Sequence, residues 1–390
     1  MKMFKVQTLN NISIHGLSQF SAELYQVGAE LTQPDAIIVR SASMLDMALP
    51  ASVCVIGRAG AGVNNIPVTS LTKKGIPVLN TPGANANAVR ELVIAGMLLA
   101  CRNICQSWNY VRQLKINEAD LDAQIEQDKK QFAGFELLGK TLGLVGLGAV
   151  GVKVANAAID LGMRVVGYDP TITVSRAWEL SSAVEQAHNL ESLLAQADFI
   201  SFHVPLTAET KNMIQAPRFQ LMKTGVVILN FSRDGILDNQ VLKEALDQKK
   251  VFSYVNDFPK ALLKDHPRVI SLPHLGASTQ EAEENCAVMI VKQIRQFLEN
   301  GNIINSVNFP TVEMPRNTKE TRLGIVNANV PNMVARMSAK LGDAGLNIIS
   351  LLNKSRDDIA YTLIDMNKPA SEAVLKEMAA IEGVIQVRQI

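Results

Sequence analysis

The chain has 390 residues, which at roughly 100 to 200 residues per domain leaves room for two or three domains, each with its own core. Its composition, 47% hydrophobic and 19% charged with a formal net charge of +1, is that of a globular protein and argues against nucleic acid or another charged polymer as a partner. No apolar leader region follows the first lysines, and the apolar run Leu92–Cys101 falls short of the roughly 18 residues of a membrane span. Four cysteines, Cys54, Cys101, Cys105 and Cys286, form no disulfide framework and suit a reducing cytoplasm, where we expect the protein to work.

Short β-rich runs open the chain. Phe4–Leu9, Ala36–Arg40, Val53–Gly57 and Pro77–Leu79 alternate with helical text to about Leu92, the pattern of an α/β domain with a parallel sheet. A helix is predicted over Ala88–Arg112. The polar stretch from Gln113 to Gln131 is too long for an ordinary connection and predicts a surface excursion that contacts another subunit.

A second α/β series follows, with strands at Thr141–Gly146, Arg164–Tyr168, Phe199–His203, Val226–Asn230, Ser253–Asp257 and Val269–Ser271, a Rossmann-like succession. Ser278-Thr279-Gln280-Glu281 reads as a capping box that opens a helix to about Asn300. Pro310–Lys319 reads as linker. Beyond it, Arg322–Ala328, Met333–Ala344, Ile348–Ser355, Ala360–Met366, Ser371–Ala380 and Val384–Gln389 form a βαββαβ succession of the ferredoxin-like kind. The expected fold class is therefore α/β, with two doubly wound parallel-sheet domains and a small C-terminal βαββαβ domain. The expected boundaries are a substrate-binding domain over 1–92 and 279–305, a dinucleotide domain over 93–278, a linker over 306–319 and a regulatory domain over 320–390.

Gly146-Leu147-Gly148-Ala149-Val150-Gly151 is a G-x-G-x-x-G between a predicted strand and a predicted helix, with Asp169 eighteen positions past Gly151 at the next strand end. Gly146 permits a tight turn, Gly148 lets a pyrophosphate approach the backbone, and Gly151 lets helix pack on strand, while the N–H groups of Ala149 and Val150 open the helix toward the phosphates. Asp169 would accept from ribose hydroxyls and repel a 2′-phosphate, so NAD is expected as the cofactor. No metal is expected.

These blocks, together with Val39-Arg40-Ser41-Ala42, Gly57-Arg58-Ala59-Gly60-Ala61-Gly62, Asn80-Thr81-Pro82-Gly83, Asn230-Phe231-Ser232-Arg233 and Pro273-His274-Leu275-Gly276-Ala277-Ser278-Thr279, resemble the D-isomer-specific 2-hydroxyacid dehydrogenases along essentially the whole chain. Within that family the resemblance is to the branch that oxidises D-3-phosphoglycerate at the head of serine synthesis. Such a reaction needs a base for the hydroxyl proton, a cation for the carboxylate and developing carbonyl, and a hydride acceptor held against C2. His274 fits the base, and Arg233, with its planar fork of donors, fits the cation.

The resemblance also implies an acid that orients the histidine and an Asp that meets the nicotinamide amide. Tyr254-Val255-Asn256-Asp257-Phe258-Pro259 offers one carboxylate where that pattern has two, so Asp257 is expected in the catalytic site in either of these jobs. Further cofactor contacts are expected from Pro205, Thr210, Phe231, Ser232, Thr81 and Ala277. For the substrate, with about two negative charges on its phosphate, the candidates are Arg58, Asn80, Ser41 and Lys129, with Lys130 the alternative to Lys129.

The C-terminal domain resembles an ACT domain, which binds amino acids between paired copies. The resemblance places ligand contacts at Asn327, Asn329 and Asn347, and implies L-serine as effector. Asn332 stands where that pattern has a Gly, and Asn tolerates unusual backbone angles better than most residues. A homo-oligomer, dimer or tetramer, is expected, as is hinge closure of the two larger domains. Two rival functions stay open at this level: another 2-hydroxyacid dehydrogenase (for hydroxypyruvate, glyoxylate or D-lactate), and a non-catalytic NAD-sensing regulator.

Overall fold

The computed structural model describes residues 3–317 and 319–390; Met1 and Lys2, in the stretch scanned for a leader, and Thr318, in the segment read as linker, lie outside the described residues. The chain divides into two compact units, Met1–Ala84 with Gln280–Ile390, and Asn85–Thr279.

The first unit opens with five parallel strands, β1 (Phe4–Leu9), β2 (Tyr25–Gly28), β3 (Ala36–Val39), β4 (Val55–Arg58) and β5 (Val78–Leu79), in the order β2-β1-β3-β4-β5. β3, Ala-Ile-Ile-Val, is buried at every position, as a strand covered on both faces must be. β2 was not expected from the sequence. It is a short edge strand with Gln26 exposed, and it carries too little alternation to register.

Helix Gln280–Asn300 returns across this sheet. A Cβ on Gly57 would lie 2.6 Å from Ile294 and 2.7 Å from Ile290, so the glycine is what permits the helix to seat on β4. The Ser278 hydroxyl, in the capping box expected to open this helix, donates to the His274 carbonyl.

The second unit holds a seven-stranded parallel sheet: β6 (Thr141–Val145), β7 (Arg164–Tyr168), β8 (Glu185–Gln186), β9 (Phe199–Phe202), β10 (Val226–Asn230), β11 (Val251–Asn256) and β12 (Val269–Ser271), in the order β12-β11-β10-β9-β6-β7-β8. The order reverses between β6 and β9, and in such sheets ligands bind beyond the carboxyl ends of the strands at that point. The helix expected over Ala88–Arg112 is two helices, Ala86–Cys101 and Ile104–Gln113. They break at Asn103, which adopts a left-handed φ of 50° and donates to the carbonyls of Phe132 and Ala133. The polar excursion contains the helix Glu118–Asp128, which buries no residue and so leaves no apolar stripe to be read.

The C-terminal βαββαβ part consists of β13 (Thr321–Ala328), β14 (Ile348–Arg356), β15 (Ile359–Met366) and β16 (Val384–Gln389), antiparallel in the order β14-β15-β13-β16, with helices Met333–Asp343 and Glu372–Ala379. The two faces of this sheet bury different things. Leu323, Ile325, Ile364 and Met366 pack with Met333, Met337, Leu341 and Met378 of the two helices. Val326, Ile359, Tyr361 and Leu363 instead join the buried cluster that holds Val6, Ile38, Val55, Ile290 and Ile294. The segment between, read as linker, is packed as well: Phe309 and Val312 are buried in that cluster, and Ile303 and Val312 exchange backbone hydrogen bonds of 2.8 and 2.9 Å.

Candidate active site

The three fingerprint glycines are required for three different reasons. Gly146 has φ 96°, and a Cβ there would lie 2.6 Å from the His203 carbonyl oxygen. A Cβ on Gly151 would stand 2.1 Å from the carbonyl oxygen of Gly146. Gly148, with an ordinary φ of −73°, would meet nothing within 4 Å. The space in front of it belongs to a cavity of about 660 Å³ lined by Gly146, Gly148, Asp169, Pro205 and Thr210 among others. Ala149 and Val150 start the helix Ala149–Asp160 just after Gly148, so the helix N–H groups of its first turn open beside a cavity large enough for a dinucleotide's phosphates.

Asp169 is more heavily engaged than expected. One carboxylate oxygen accepts from the Leu147 N–H inside the glycine loop at 2.8 Å, and the other accepts from Thr171 N at 2.8 Å and Thr171 Oγ1 at 3.1 Å. It thus shapes the loop as well as facing the cavity. Thr210 is committed to its own turn, its Oγ1 donating to the Pro205 carbonyl at 2.6 Å and accepting from Thr207 N. His203, which the sequence did not single out, also lines the cavity. Its ring nitrogen lies 3.0 Å from Ser201 Oγ, and burial pushes its pKa down to about 4, so it is neutral at pH 7.

Arg233 and His274 are both exposed, each on a loop beyond a carboxyl strand end. Asn230, the last residue of β10 and only 2% exposed, holds the first loop. Its Oδ1 accepts from Ser232 N and Ser232 Oγ, and its Nδ2 donates to the Arg233 carbonyl at 2.9 Å. Phe231 points the other way: it is 6% exposed and packs against Gly96, where a Cβ would come within 3.0 Å of its ring.

Asp257, 1% exposed just past β11, holds the second loop. Its Oδ1 accepts from Leu275 N and its Oδ2 from Gly276 N, both at 2.7 Å. Asp257 was expected either to orient the imidazole or to meet the nicotinamide amide; its carboxylate meets the backbone next to His274. What the imidazole meets is Phe258, edge to face, with ring centroids 5.2 Å apart. His274 itself has φ 57°, a conformation costly for a non-glycine residue unless its surroundings enforce it. Ala277 follows on the same loop.

In the first unit the substrate candidates gather at the carboxyl ends of neighbouring strands. Val39 pairs with Arg58 and Gly57 with Leu79, so Ser41, Arg58 and Asn80 emerge from β3, β4 and β5 side by side. Thr81 N donates to the Gly60 carbonyl at 3.1 Å, and Asn80 Nδ2 to the Ala61 carbonyl at 2.6 Å. The Arg58 guanidinium lies against Gly60, where a Cβ would stand 1.6 Å from Nη1. The motif's glycine is thus what leaves Arg58 its place. Arg40, next to Ser41, is paired with Glu283 at 2.6 Å. Thr81 is fully buried. Lys129 belongs to the other unit, on a short 3-10 turn, and pairs with Glu126. Lys130 beside it is exposed.

In the tail, Asn327 and Asn329 stand together at the end of β13, but Asn347 precedes β14 at the opposite end of the sheet. The register shows this, since Asn327 pairs with Ala360, whereas Ile348 pairs with Met366. Asn327 is 1% exposed, with its Oδ1 buried and unpaired. Asn332 adopts φ 67°, so the Asn in place of a Gly keeps the left-handed turn.

Residues 94–276 match the family model described as D-isomer specific 2-hydroxyacid dehydrogenase, NAD binding domain. The D-3-phosphoglycerate dehydrogenase of Methanocaldococcus jannaschii is 39% identical over 292 residues, 73% of this chain and 53% of that protein, so the chain spans about half the length of that relative. The D-3-phosphoglycerate dehydrogenase of Escherichia coli (strain K12) is 32% identical over 347 residues, 85% of this chain and 80% of that one. Among solved structures, NAD+-bound 3-phosphoglycerate dehydrogenase of Entamoeba histolytica matches with a TM-score of 0.60 at 26% identity, covering 78% of this chain and 98% of that one. The fingerprint and its cavity are thus those of an NAD-binding domain, and the chain belongs to the D-isomer-specific 2-hydroxyacid dehydrogenase family.

Proposed function

We propose that the protein oxidises D-3-phosphoglycerate to 3-phosphohydroxypyruvate with NAD, as the first step of serine formation. The observation that carries the choice of substrate is the Arg58 guanidinium laid over Gly60 at the sheet's carboxyl edge, a fixed cation suited to a dianionic phosphate. The phosphoglycerate dehydrogenases among its relatives support the same choice.

In this reading Gly146, Gly148, Ala149, Val150 and Asp169 hold the cofactor, with Pro205, Thr210 and Ser232 beside it. Bound NAD supplies a nicotinamide ring that accepts hydride. Arg233 grips the substrate carboxylate and steadies charge on the developing carbonyl, while the His274 imidazole takes the C2 hydroxyl proton as the C2–H bond breaks. Ser41, Asn80 and Arg58 hold the remainder of the substrate.

The tail is proposed as a serine-binding module, a reading supported by the buried, unpaired Oδ1 of Asn327 and the left-handed Asn332. A homo-oligomer is proposed on the exposed apolar side chains of helix Ile104–Gln113, where Ile104, Trp108 and Val111 are 42%, 59% and 50% exposed. Four cysteines outside any disulfide among the described residues suit a cytoplasmic setting.

The test is NAD reduction at alkaline pH with a trap for the oxo acid, over D-3-phosphoglycerate, D-lactate, D-glycerate and glycolate. Preference for phosphoglycerate that falls away in Arg58→Ala supports the reading. Turnover of D-lactate or D-glycerate without phosphoglycerate assigns another 2-hydroxy acid, and none with any points to a non-catalytic NAD sensor. Serine added to the same assay tests the tail.

A further inference from the structure

Asn230 and Asp257 end one level of the sheet on neighbouring strands, and Asp257 N donates to the Asn230 carbonyl at 3.2 Å. Each is a buried polar side chain spent on backbone, Asn230 on the Arg233 loop and Asp257 on the His274 loop. A carboxylate 1% exposed is costly unless its charge is met by good donors, and here both donors are N–H groups of consecutive residues.

We propose that Asp257 is a positioning residue that acts on the reaction only through the backbone of the His274 loop, and that the imidazole works without a carboxylate partner, braced by the edge of Phe258. This rests on the reading of His274 as the base. The bidentate grip on Leu275 N and Gly276 N offsets the cost of the left-handed φ at His274 and fixes where the ring projects. Two other carboxylates of the same unit are taken by lysines, Asp234 by Lys260 and Asp265 by Lys264, both at 2.6 Å. Asn230 does the corresponding job for Arg233. Because both clamps hang on one backbone hydrogen bond between adjacent strands, acid–base group and cation are set relative to a single rigid edge.

The test compares Asp257→Asn with the intact protein in two readouts. In the first, kcat falls on the order of 10- to 100-fold, as for a displaced catalytic group, while the acid limb of the kcat/KM pH profile stays in place. An unchanged kcat overturns the proposal. So does an acid limb moved down by about 1–3 units, the effect of removing a carboxylate that touches the imidazole.

The second readout needs no activity. Charge-assisted hydrogen bonds draw the amide protons of Leu275 and Gly276 downfield in selectively labelled protein, and both return upfield in Asp257→Asn. Unshifted amides in the intact protein overturn the proposal even if the variant fails to fold. Absence of turnover by the intact protein with any 2-hydroxy acid instead removes the functional reading, and the amide signals then decide the loop clamp alone.

Discussion

The Arg322 guanidinium grips the Asp365 carboxylate with two hydrogen bonds, Nε to Oδ1 at 2.6 Å and Nη2 to Oδ2 at 2.7 Å, from directly paired positions on β13 and β15. The pair lies on the sheet face turned away from the tail's own helices. Arg322 is fully buried, and its remaining donors reach the carbonyls of Asn300, Met314 and Pro315. Arg316 and Arg388 add donors to Glu299 O and Phe297 O, so three guanidiniums meet carbonyls of the last turn of helix Gln280–Asn300; Phe297 O also accepts from Gly301 N at 2.9 Å. The C-terminal sheet is thereby built into the first unit.

Arg322→Met strands a buried carboxylate and three carbonyls. We expect it to lower unfolding stability by about 3–5 kcal/mol, and a second change, Asp365→Leu, to recover part of the loss. Denaturant unfolding of the single and double variants checks this. A single-variant loss under about 1 kcal/mol would mean that the tail is held by apolar packing alone.

The glycines of the fingerprint should separate by variant. Gly148→Ala fits the backbone and touches nothing, so its unfolding midpoint should match that of the intact protein. Its methyl group enters the space the pyrophosphate needs, however, and NAD binding should weaken about 10- to 100-fold. Gly151→Ala, with its Cβ 2.1 Å from Gly146 O, should lose stability as well as binding. Calorimetric NAD titration beside thermal unfolding distinguishes the two. Equal effects in both variants would refute the assignment of separate roles.

Gly60→Ala should act as a milder Arg58→Ala. A Cβ 1.6 Å from Arg58 Nη1 expels the guanidinium from its place without removing its charge. The KM for phosphoglycerate should rise in both variants, with KM for NAD little changed. If Gly60→Ala leaves the substrate KM alone, Arg58 does not bind phosphate from this position.

His203 predicts a pH dependence of stability. Its folded pKa of about 4 lies below the ordinary 6.5 of the unfolded chain, so between these values the unfolded state binds the extra proton. Its contribution is fully present above about pH 6.5 and is lost as pH falls toward 4, at most about 3 kcal/mol. Denaturant midpoints at pH 7 and pH 4.5 should converge in His203→Asn relative to the intact protein. A drop of the same size in the variant would show that other groups carry the acid sensitivity.

Much of this was legible in the sequence because the signals were local. Val226–Asn230 and Val384–Gln389 are strands with the bounds read from their β-rich runs, and the glycines at 146, 148 and 151 sit as the strand–turn–helix context required. The misses are of another kind. Asn103 breaks a helix whose apolar period runs on to either side, and its left-handed turn is held by carbonyls some thirty residues away. Asp257 could be placed near the site, but whether its oxygens meet a ring or a backbone depends on a loop eighteen and nineteen residues on. The double-sided burial of the C-terminal sheet was hidden because Val326 and Leu323 look equally apolar in the text, whichever partner each one covers.

In the proposed reaction one imidazole on a pinned loop performs the proton transfer. His274→Asn tests it most directly, because Asn tolerates the left-handed φ of 57° and leaves the loop in place. NAD reduction by D-3-phosphoglycerate should drop by about 10²- to 10⁴-fold, with NAD affinity and thermal midpoint unchanged. Turnover undiminished in that variant would contradict it.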